Sequence, residues 1–311
     1  YFQTPRGQLH AVDDVSFKIE QGKTLGVVGE SGCGKTTLGR VILHLLDSTD
    51  GKMLFQGEDI TRPSARRTKE LRSDMQIIFQ DPFSSLNPRM TISETIGEPL
   101  KLVKRLGGEE LSAEVRRLMD SVGLAQRLIN AFPHELDGGR RQRIGIARAL
   151  ALDPKFIVCD EPVSALDVSI QAQILNLILG LQEERGLTYI FITHNLSVVN
   201  YISDDICVMY LGQVVETCAS DELFKTPLHP YTQALLSAIP SPDIFNTQKR
   251  IILQGELASP INPKPGCRFA PRCLYATDEC RLDASLTEVS PGHFVACRRV
   301  NQIMTNEGVA T

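Results

Sequence analysis

Apolar and polar positions along the chain follow two patterns that together predict a mixed α/β fold. The alternation in "VDDVSFKIE" (12–20) is typical of a half-buried strand. Three other runs are apolar nearly throughout, which is typical of buried parallel strands. These runs are "KTLGVVGE" from Lys23, "KFIVCDEP" from Lys155 and "LTYIFITHN" from Leu187. Helical sequence lies between or after them, as parallel βαβ units require, so we predict an α/β core.

The spacing changes to a helical one between Thr91 and Leu152. Glu, Arg and Leu recur there at intervals of three and four, and no run favours a strand. We therefore predict a helical subdomain over about 91–152. Further along, "DDICVMYLGQVVE" from Asp204 predicts one or two more strands, with a turn at Gly212.

Periodicity fades and proline becomes frequent beyond "TPLHPYTQALLSAIPSPD". This change predicts a domain boundary near residue 240. We divide the chain into a main domain at 1–240 and a C-terminal region at 241–311.

Composition and charge exclude several classes of protein. The chain has 311 residues and 42% apolar content, which suits one large domain with an appendage or two smaller domains. Its formal charge of −4, with both signs interspersed, argues against binding to nucleic acid. No apolar run approaches the roughly 18 to 20 residues that span a bilayer, and the start shows no signal-peptide pattern. We predict a soluble or peripheral protein.

A glycine-rich segment follows the strand predicted at Lys23. "GESGCGKTT" (29–37) matches G-x-x-x-x-G-K-[ST] between that strand and a helical run, which is the setting of a P-loop. Backbone N–H groups of such a loop surround phosphates, Lys35 reaches the β- and γ-phosphates, and Thr36 can ligate Mg²⁺. We interpret Cys33 as a loop-filling residue. The predicted nucleotide-binding residues are Gly29, Ser31, Gly32, Cys33, Gly34, Lys35, Thr36 and Thr37.

Polar side chains follow three more strand-like runs. Asp160 and Glu161 end "FIVCDE", where Asp160 could hold Mg²⁺ and Glu161 could polarise an attacking water. Gln80 and His194 end "IIFQ" and "FITH" in the same manner. The carboxyl edge of a doubly wound sheet is where ligands bind, although a single His there is often structural.

Asp137 directly precedes two glycines in "ELDGGRRQRIGIARAL". The pattern predicts a helix with Asp137 as N-cap, and it leaves Gly138 and Gly139 unexplained.

Together these motifs resemble the ATP-binding cassette (ABC) ATPases, and the resemblance covers about Val12 to Pro240. The motifs occur in the order of that family. They are the P-loop at Gly29, the Q-loop at Gln80, the signature at Leu136, the Walker B strand at Phe156, the D-loop ending at Asp167 and the switch His194.

The resemblance implies a RecA-like P-loop NTPase core with an antiparallel β subdomain and a helical subdomain, followed by a small cysteine-rich tail. It also implies roles for single residues. Gln80 would link Mg²⁺ to a membrane partner, Glu161 would be the catalytic base, and His194 would contact the γ-phosphate. Mg²⁺ would lie near Thr36, Gln80 and Asp160. ATP is favoured over GTP because no N-K-x-D stretch is present.

In this family two ATPase subunits share their nucleotides. The signature would be presented to ATP in the partner's P-loop, and Asp167 would lie at the dimer contact. The signature residues are Asp137, Gly138, Gly139 and Arg140. An aromatic residue ahead of the P-loop stacks on adenine in the family. Only Tyr1 and Phe2 are candidates here, and the spacer after them is longer than usual.

The chain departs from the family pattern at three positions. Asp137 replaces the usual Ser, Arg140 replaces Gln, and Asn195 follows the switch His where Asp is common. A carboxylate about 4 Å from a γ-phosphate would be repelled by roughly 1 to 4 kcal/mol. The signature is therefore either slow at the site it faces or compensated by Arg140 or Arg141.

Four cysteines crowd into the tail, and none of their spacings is a paired C-x-x-C. Four thiolates could hold a [4Fe–4S] cluster or Zn²⁺, or remain free. The tail, with "HPYTQALLSAIPSPD" before it, is similar to that of dipeptide and oligopeptide importer ATPases, in which such cysteines hold an iron–sulfur cluster. We expect a cluster, with zinc as the alternative, on Cys267, Cys273, Cys280 and Cys297.

These resemblances identify the chain as an ATP-hydrolysing subunit of an ABC importer for dipeptides or oligopeptides. It would work at the cytoplasmic face of the membrane with a second, non-identical ATPase subunit and two transmembrane permease subunits. An extracytoplasmic binding protein would deliver the cargo. Alternatives are nickel or opine import, a soluble ABC protein of DNA repair or translation, and a stand-alone P-loop kinase, which would not need L-D-G-G-R.

Overall fold

Strands at the centre of the fold build one large mixed sheet. The computed structural model describes residues 2–4, 7–239, 250–255 and 258–307. In these residues the strands are β1 (Phe2–Thr4), β2 (Gly7–Leu9), β3 (Thr24–Val28), β4 (Leu54–Phe55), β5 (Glu58–Asp59), β6 (Met75–Ile78), β7 (Phe156–Asp160), β8 (Thr188–Thr193), β9 (Asp205–Tyr210), β10 (Gln213–Ala219), β11 (Thr287–Ser290) and β12 (His293–Val295).

Helices cover the sheet and form a layer of their own beside it. In the described part of the chain the α-helices are α1 (Lys35–Ile42), α2 (Ala65–Asp74), α3 (Pro82–Ser85), α4 (Ile92–Pro99), α5 (Gly108–Ser121), α6 (Gly138–Leu150), α7 (Val168–Arg185), α8 (Leu196–Ile202), α9 (Ser220–Lys225), α10 (Pro230–Ser237) and α11 (Val300–Glu307). None of these helices combines the length and the apolar composition needed to span a bilayer.

The large sheet has the strand order β11-β12-β10-β9-β3-β8-β7-β6. The contacts from β6 through β7, β8 and β3 to β9 are parallel. Strands β3, β7 and β8 are buried along their whole length, as their continuous apolar sequences predict. The strands predicted at Lys23, Lys155 and Leu187 are therefore confirmed. The turn predicted at Gly212 is also present, and its φ of 84° favours glycine.

The strand predicted over 12–20 is wrong. Side chains do alternate there, with Val15, Phe17 and Ile19 partly buried against the core below β3. No described neighbour forms a β-ladder with this segment, however, because alternating burial needs only an extended chain lying on a core. The antiparallel pairs apart from the large sheet are β1 with β2 and β4 with β5.

The region predicted to be helical contains α4, α5 and α6. Helix α4 begins with a capping box, in which Thr91 and Glu94 satisfy each other's backbone N–H groups. Helix α4 continues past Pro99 into a π-helical segment at Leu100–Lys104. The three helices share a core of fully buried residues that include Ile92, Ile96, Leu118 and Ile144.

Residues after 250 add to the large sheet. Strand β12 pairs with β10, and β11 pairs with β12, so the tail supplies the last two strands at one edge. The buried Glu216 of β10 accepts hydrogen bonds from the backbone N–H groups of Leu228 and His229, at 2.7 and 2.9 Å. It also contacts His293 Nε2 of β12 at 2.7 Å. The boundary predicted near residue 240 lies outside the described residues.

Stability is expected to fall on acidification because of His229. Burial lowers the pKa of this histidine to about 4. Its Nδ1 accepts the N–H of Tyr231, so it caps α10 as a neutral ring. A histidine in the unfolded chain has a pKa of about 6.5. Between pH 4 and pH 6.5, therefore, His229 takes up a proton in the unfolded state but not in the folded state. The free energy of unfolding should therefore drop by about 2 kcal/mol from pH 7.5 to pH 5.

Urea denaturation at both pH values measures this effect. His229→Asn is the comparison, because asparagine can cap the same N–H without titrating. We expect the variant to lose less stability on acidification than the unchanged protein. An equal loss in both would assign the pH dependence to other groups.

Candidate functional site

Close packing at the end of β3 explains two glycines of the predicted P-loop. Gly29 and Gly34 have φ values of 154° and 106°. A Cβ on Gly29 would lie 2.2 Å from the carbonyl oxygen of Met209, and one on Gly34 would lie 2.0 Å from that of Ala11. The loop therefore accepts no larger residue at either position, and it leads directly into α1.

Lys35, the first residue of α1, turns its side chain back into the loop. It is only 5% exposed, and its Nζ donates to the carbonyl oxygens of Gly29 and Glu30 at 2.8 and 3.0 Å. Cys33 is also buried, and burial raises the pKa of its thiol. This environment agrees with our interpretation of Cys33 as a loop-filling residue rather than a nucleophile.

Thr36 and Asp160 meet beside the loop. The Thr36 hydroxyl donates to Asp160 Oδ1 at 2.9 Å, and Asp160 is only 5% exposed. Burial raises the pKa of this carboxyl, and the hydrogen bond from Thr36 partly opposes that rise. A hydroxyl beside one buried carboxylate fits Mg²⁺, which usually combines few protein ligands with water and substrate phosphates. A bound cation would favour the ionised carboxylate.

Glu161 is fixed by its backbone and by two side chains. Its φ is 46°, an uncommon left-handed value for a residue other than glycine, and its N–H donates to the carbonyl of Ile192 at 2.9 Å. Its Oε2 accepts a hydrogen bond from Gln80 Nε2 at 3.0 Å and lies 3.2 Å from His194 Nδ1. The structure thus brings together three residues that the sequence predicted separately, and it places Gln80 on Glu161.

Asp137 caps α6, as its position before the helix predicts. Its Oδ1 accepts the backbone N–H of Arg140 at 2.8 Å, and its Oδ2 lies 3.4 Å from the guanidinium of the same residue. Both side chains are about half exposed. Arg140 is therefore close enough to Asp137 to supply the compensating charge, which is one of the two alternatives that the sequence left open.

The two glycines after Asp137 have a reason within this chain. A Cβ on Gly139 would lie 2.6 Å from Ile170 Cγ2, and one on Gly138 would lie 3.1 Å from a methyl group of Leu166. Asp167 caps α7 by accepting the N–H of Ile170 at 3.0 Å. The predicted signature and the predicted D-loop thus pack directly on each other.

Replacing Asp137 with serine is expected to change turnover less than about twofold. Serine caps a helix about as well as aspartate, and the charge removed is already paired with Arg140. Steady-state ATP hydrolysis by the assembled complex measures the effect. Asp137→Ala is the control, and it should lower helix stability by about 1 kcal/mol through loss of the cap. A several-fold gain of turnover in Asp137→Ser would instead show repulsion of the nucleotide.

Asn195, which follows the switch histidine, caps α8. Its side-chain oxygen accepts the N–H groups of Ser197 and Val198 at 3.0 and 3.4 Å. Aspartate could cap in the same way, so this departure from the family pattern leaves the local structure intact. Tyr1, the predicted adenine-stacking residue, lies outside the described residues.

The four tail cysteines are free and partly buried. Burial and the proximity of the other three thiols raise the pKa of Cys273 to about 11. Cys267 also donates its N–H to the carbonyl of Cys280 at 2.9 Å. Even so, no three His, Cys, Asp or Glu side chains in the described ranges are grouped so as to hold a metal ion. The predicted iron–sulfur cluster and the zinc alternative are therefore unsupported.

One contact to the P-loop was missed by the sequence analysis. The Glu30 carboxylate pairs with the Arg272 guanidinium at 2.7 Å, and the Glu30 N–H donates to the Tyr231 hydroxyl at 2.8 Å. The two charged partners are 242 positions apart. No local sequence pattern relates residues so distant, so only the folded chain reveals this contact.

Sequence comparisons agree with these motifs over nearly the whole chain. The family profile described as ABC transporter matches residues 12–164, and the profile described as oligopeptide/dipeptide transporter, C-terminal region, matches 215–280. The oligopeptide transport ATP-binding protein OppF of Salmonella typhimurium is 52% identical over 97% of this chain and 92% of its own length. OppF of Escherichia coli is 51% identical with the same coverage. A putative peptide import ATP-binding protein of Brucella ovis is 51% identical over 97% of this chain and 95% of its own length.

Solved structures agree with the fold. The cbiO1 protein of Clostridium perfringens, described as part of the ABC transporter complex cbiONQ, aligns with a TM-score of 0.64 and 28% identity, over 70% of this chain and 84% of that one. The ATP-binding cassette MJ0796, solved as a dimer with ADP and Pi, aligns with a TM-score of 0.61 and 30% identity, over 68% and 90%. These likenesses confirm the predicted P-loop NTPase fold. The chain belongs to the ATP-binding proteins of ABC transporters, within the group that carries the oligopeptide/dipeptide-type C-terminal region.

Proposed function

We propose that this chain hydrolyses ATP at the cytoplasmic face of a membrane to power the import of dipeptides or oligopeptides. The observation that carries the proposal is the 52% identity to an oligopeptide transport ATP-binding protein over 97% of the chain. The match of residues 215–280 to the oligopeptide/dipeptide-type region supports the same cargo. The relatives give no support to nickel or opine import.

Glu161 is the general base of the proposed hydrolysis. Gln80 and His194 both contact its Oε2, which leaves Oε1 to take a proton from water. The strained backbone at Glu161 holds the carboxylate at the end of β7, next to Asp160. Because His194 and Gln80 both contact Oε2, a change in the binding partners of either side chain would alter the position of the Glu161 carboxylate.

The loop from Gly29 to Thr37 holds the phosphates through its N–H groups and Lys35. Thr36 and Asp160 would hold Mg²⁺, whose charge offsets that developing on the γ-phosphate. Gln80 contacts Glu161, the residue that follows Asp160, so it would respond to changes at both the base and the metal. The described loop, with its buried lysine and its close-packed glycines, supports these roles.

A second ATPase subunit completes each nucleotide site in this proposal. The signature of one subunit, from Asp137 to Arg140, faces the ATP held by the other, and Asp167 lies at the contact. Support comes from the packing of Gly139 on Ile170, which joins signature and D-loop into one unit. The similar cassette MJ0796 has been solved as a dimer. We propose that the second subunit is non-identical.

Two membrane permease subunits and a substrate-binding protein complete the proposed transporter. A groove of about 560 Å³ beside the Q-loop is a suitable contact for a permease. The groove is lined by three large apolar side chains, Phe79, Leu102 and Val103, which are 37, 73 and 45% exposed. Large apolar side chains are seldom exposed together on one surface. Glu98 and Arg148 add one charge of each sign.

Cargo identity is tested by stimulation of ATP hydrolysis in the complex reconstituted in vesicles with its own binding protein. We expect dipeptides or oligopeptides to raise turnover, while nickel salts and opines leave it at the basal rate. Stimulation by nickel or an opine alone would overturn the peptide assignment. Turnover with no response to any cargo would favour an ABC ATPase that does not transport.

We also propose that the four tail thiols bind a [4Fe–4S] cluster, with zinc as the alternative. The placement of four free, partly buried cysteines in the tail supports this, as does the hydrogen bond at 2.9 Å from the Cys267 N–H to the Cys280 carbonyl. In the described ranges these side chains are not grouped closely enough to ligate a metal. No step of hydrolysis depends on it. Metal analysis of protein purified without oxygen, with Cys273→Ser as comparison, should give about four irons per chain, lost in the variant. A chain free of both iron and zinc would contradict the proposal.

A further inference from the structure

Glu30 puts a negative charge inside the P-loop. It lies between Gly29 and Ser31, and its side chain is 27% exposed. Its carbonyl oxygen is 3.0 Å from Lys35 Nζ, so the residue is part of the wall around the lysine. An unpaired carboxylate in a loop that binds triphosphate would repel the ligand.

Arg272 from the tail neutralises this carboxylate. Its two terminal nitrogens reach the two Glu30 oxygens at 2.7 and 3.1 Å, which is a bidentate, charge-assisted pair. The Arg272 side chain is only 10% exposed. Such a pair fixes direction as well as charge, so it also limits the positions that the loop can take.

An aromatic cluster holds Arg272 in place. Tyr210 of β9, Tyr231 of α10 and Phe269 of the tail pack with ring centroids 4.8 to 5.3 Å apart. The Arg272 guanidinium lies 5.9 Å from the centre of the Tyr210 ring, and the backbone N–H of Arg272 donates to the Phe269 carbonyl at 2.9 Å. The arginine is therefore positioned by the core and not by Glu30 alone.

The same cluster also holds the backbone of the P-loop. The Tyr231 hydroxyl accepts the N–H of Glu30 at 2.8 Å, and Tyr231 is fully buried. The charge and the backbone of Glu30 are thus both fixed by segments that follow β10.

We propose that Arg272 and Tyr231 are positioning residues for ATP, which clamp Glu30 so that the P-loop accepts the triphosphate. The proposal rests on the ATP-binding role of the P-loop. Because neither residue touches the reacting atoms, the clamp contributes equally to ground-state and transition-state binding. Its loss should therefore raise KM for ATP and leave kcat nearly unchanged.

The test compares KM and kcat in the full complex. Arg272→Met should raise KM for ATP about tenfold, or about 1.4 kcal/mol, with kcat within about twofold. Adding Glu30→Gln should bring KM back to near the original value, since the charge that needed neutralising is gone. Tyr231→Phe, which removes only the hydroxyl, should raise KM about threefold.

Arg268→Met is the matched control. Arg268 also anchors the tail, through the Leu211 carbonyl and Asp13, but it does not contact Glu30. The KM of the Arg268→Met protein for ATP should stay unchanged. Should Arg272→Met fail to fold, Arg272→Lys replaces it, with an expected rise in KM of about threefold because one amine cannot make both contacts.

Two results would overturn the proposal. One is an unchanged KM in folded Arg272→Met or Arg272→Lys protein. The other is a raised KM that Glu30→Gln does not restore, since Arg272 would then be merely structural. If either result is found in protein that still binds ATP, the proposed function is unaffected. If the unsubstituted complex binds no ATP, the proposed function is refuted.

Discussion

Glu161→Gln is expected to leave ATP binding intact and to lower hydrolysis about 10³-fold, equivalent to about 4 kcal/mol of transition-state stabilisation. The amide oxygen can still accept the hydrogen bond that Gln80 donates to Oε2, and it can keep the contact with His194 Nδ1. It cannot take a proton from water, so only the base is lost. Single-turnover hydrolysis and nucleotide binding, measured on the same preparation, separate the two effects.

Glu183→Gln is the matched control for this substitution. Glu183 is exposed on α7, so its loss removes the same charge without touching the site. We expect wild-type turnover there. If Glu161→Gln protein, free of contaminating ATPases, hydrolyses ATP at a rate close to wild type, Glu161 is not the base.

Asp160→Asn is expected to lower kcat/KM by about 10³ and to raise the Mg²⁺ concentration needed for half-maximal hydrolysis. The asparagine oxygen can still accept the Thr36 hydroxyl, which now donates to Oδ1 at 2.9 Å. The substitution therefore keeps the local hydrogen bond and removes the charge that a divalent cation requires. Hydrolysis measured across a Mg²⁺ titration gives both quantities.

The Mg²⁺ titration also separates the two acids. Glu161→Gln should keep the wild-type Mg²⁺ requirement at its reduced rate, while Asp160→Asn should not. Asp221→Asn, at an exposed position of α9, serves as the neutral comparison. An Asp160→Asn variant with the original Mg²⁺ requirement would remove Asp160 from the metal site.

The local sequence was sufficient to predict which residues lie at the centre of the site. The P-loop, Asp160 and Glu161 each sit at the end of a buried parallel strand, and parallel strands bring their carboxyl ends to one edge. The apolar runs predicted those strands, so the clustering followed. The capping role of Asp137 could also be predicted, because a cap acts within one turn of its own helix.

Contacts between distant segments could not be predicted in this way. The pairing of Glu30 with Arg272 depends on how the tail crosses β9 and α10, which no local pattern encodes. The strand expected at 12–20 failed for a related reason, since a ladder needs a neighbour that alternation does not specify. The contact that a Cβ on Gly139 would make with Ile170 likewise lies between two segments that the signature motif alone does not relate. The spacing of the four tail cysteines likewise did not determine whether their thiols converge.

We propose that hydrolysis by this ATPase drives import, and ATP-dependent peptide uptake tests this coupling most directly. The complex is reconstituted in vesicles with Mg²⁺-ATP on the side of this subunit and with binding protein and labelled peptide on the other. Uptake should proceed with the unchanged chain and fall to the level without ATP when the chain carries Glu161→Gln. Undiminished uptake with the Glu161→Gln chain would contradict the account, because transport would then not depend on hydrolysis at this site.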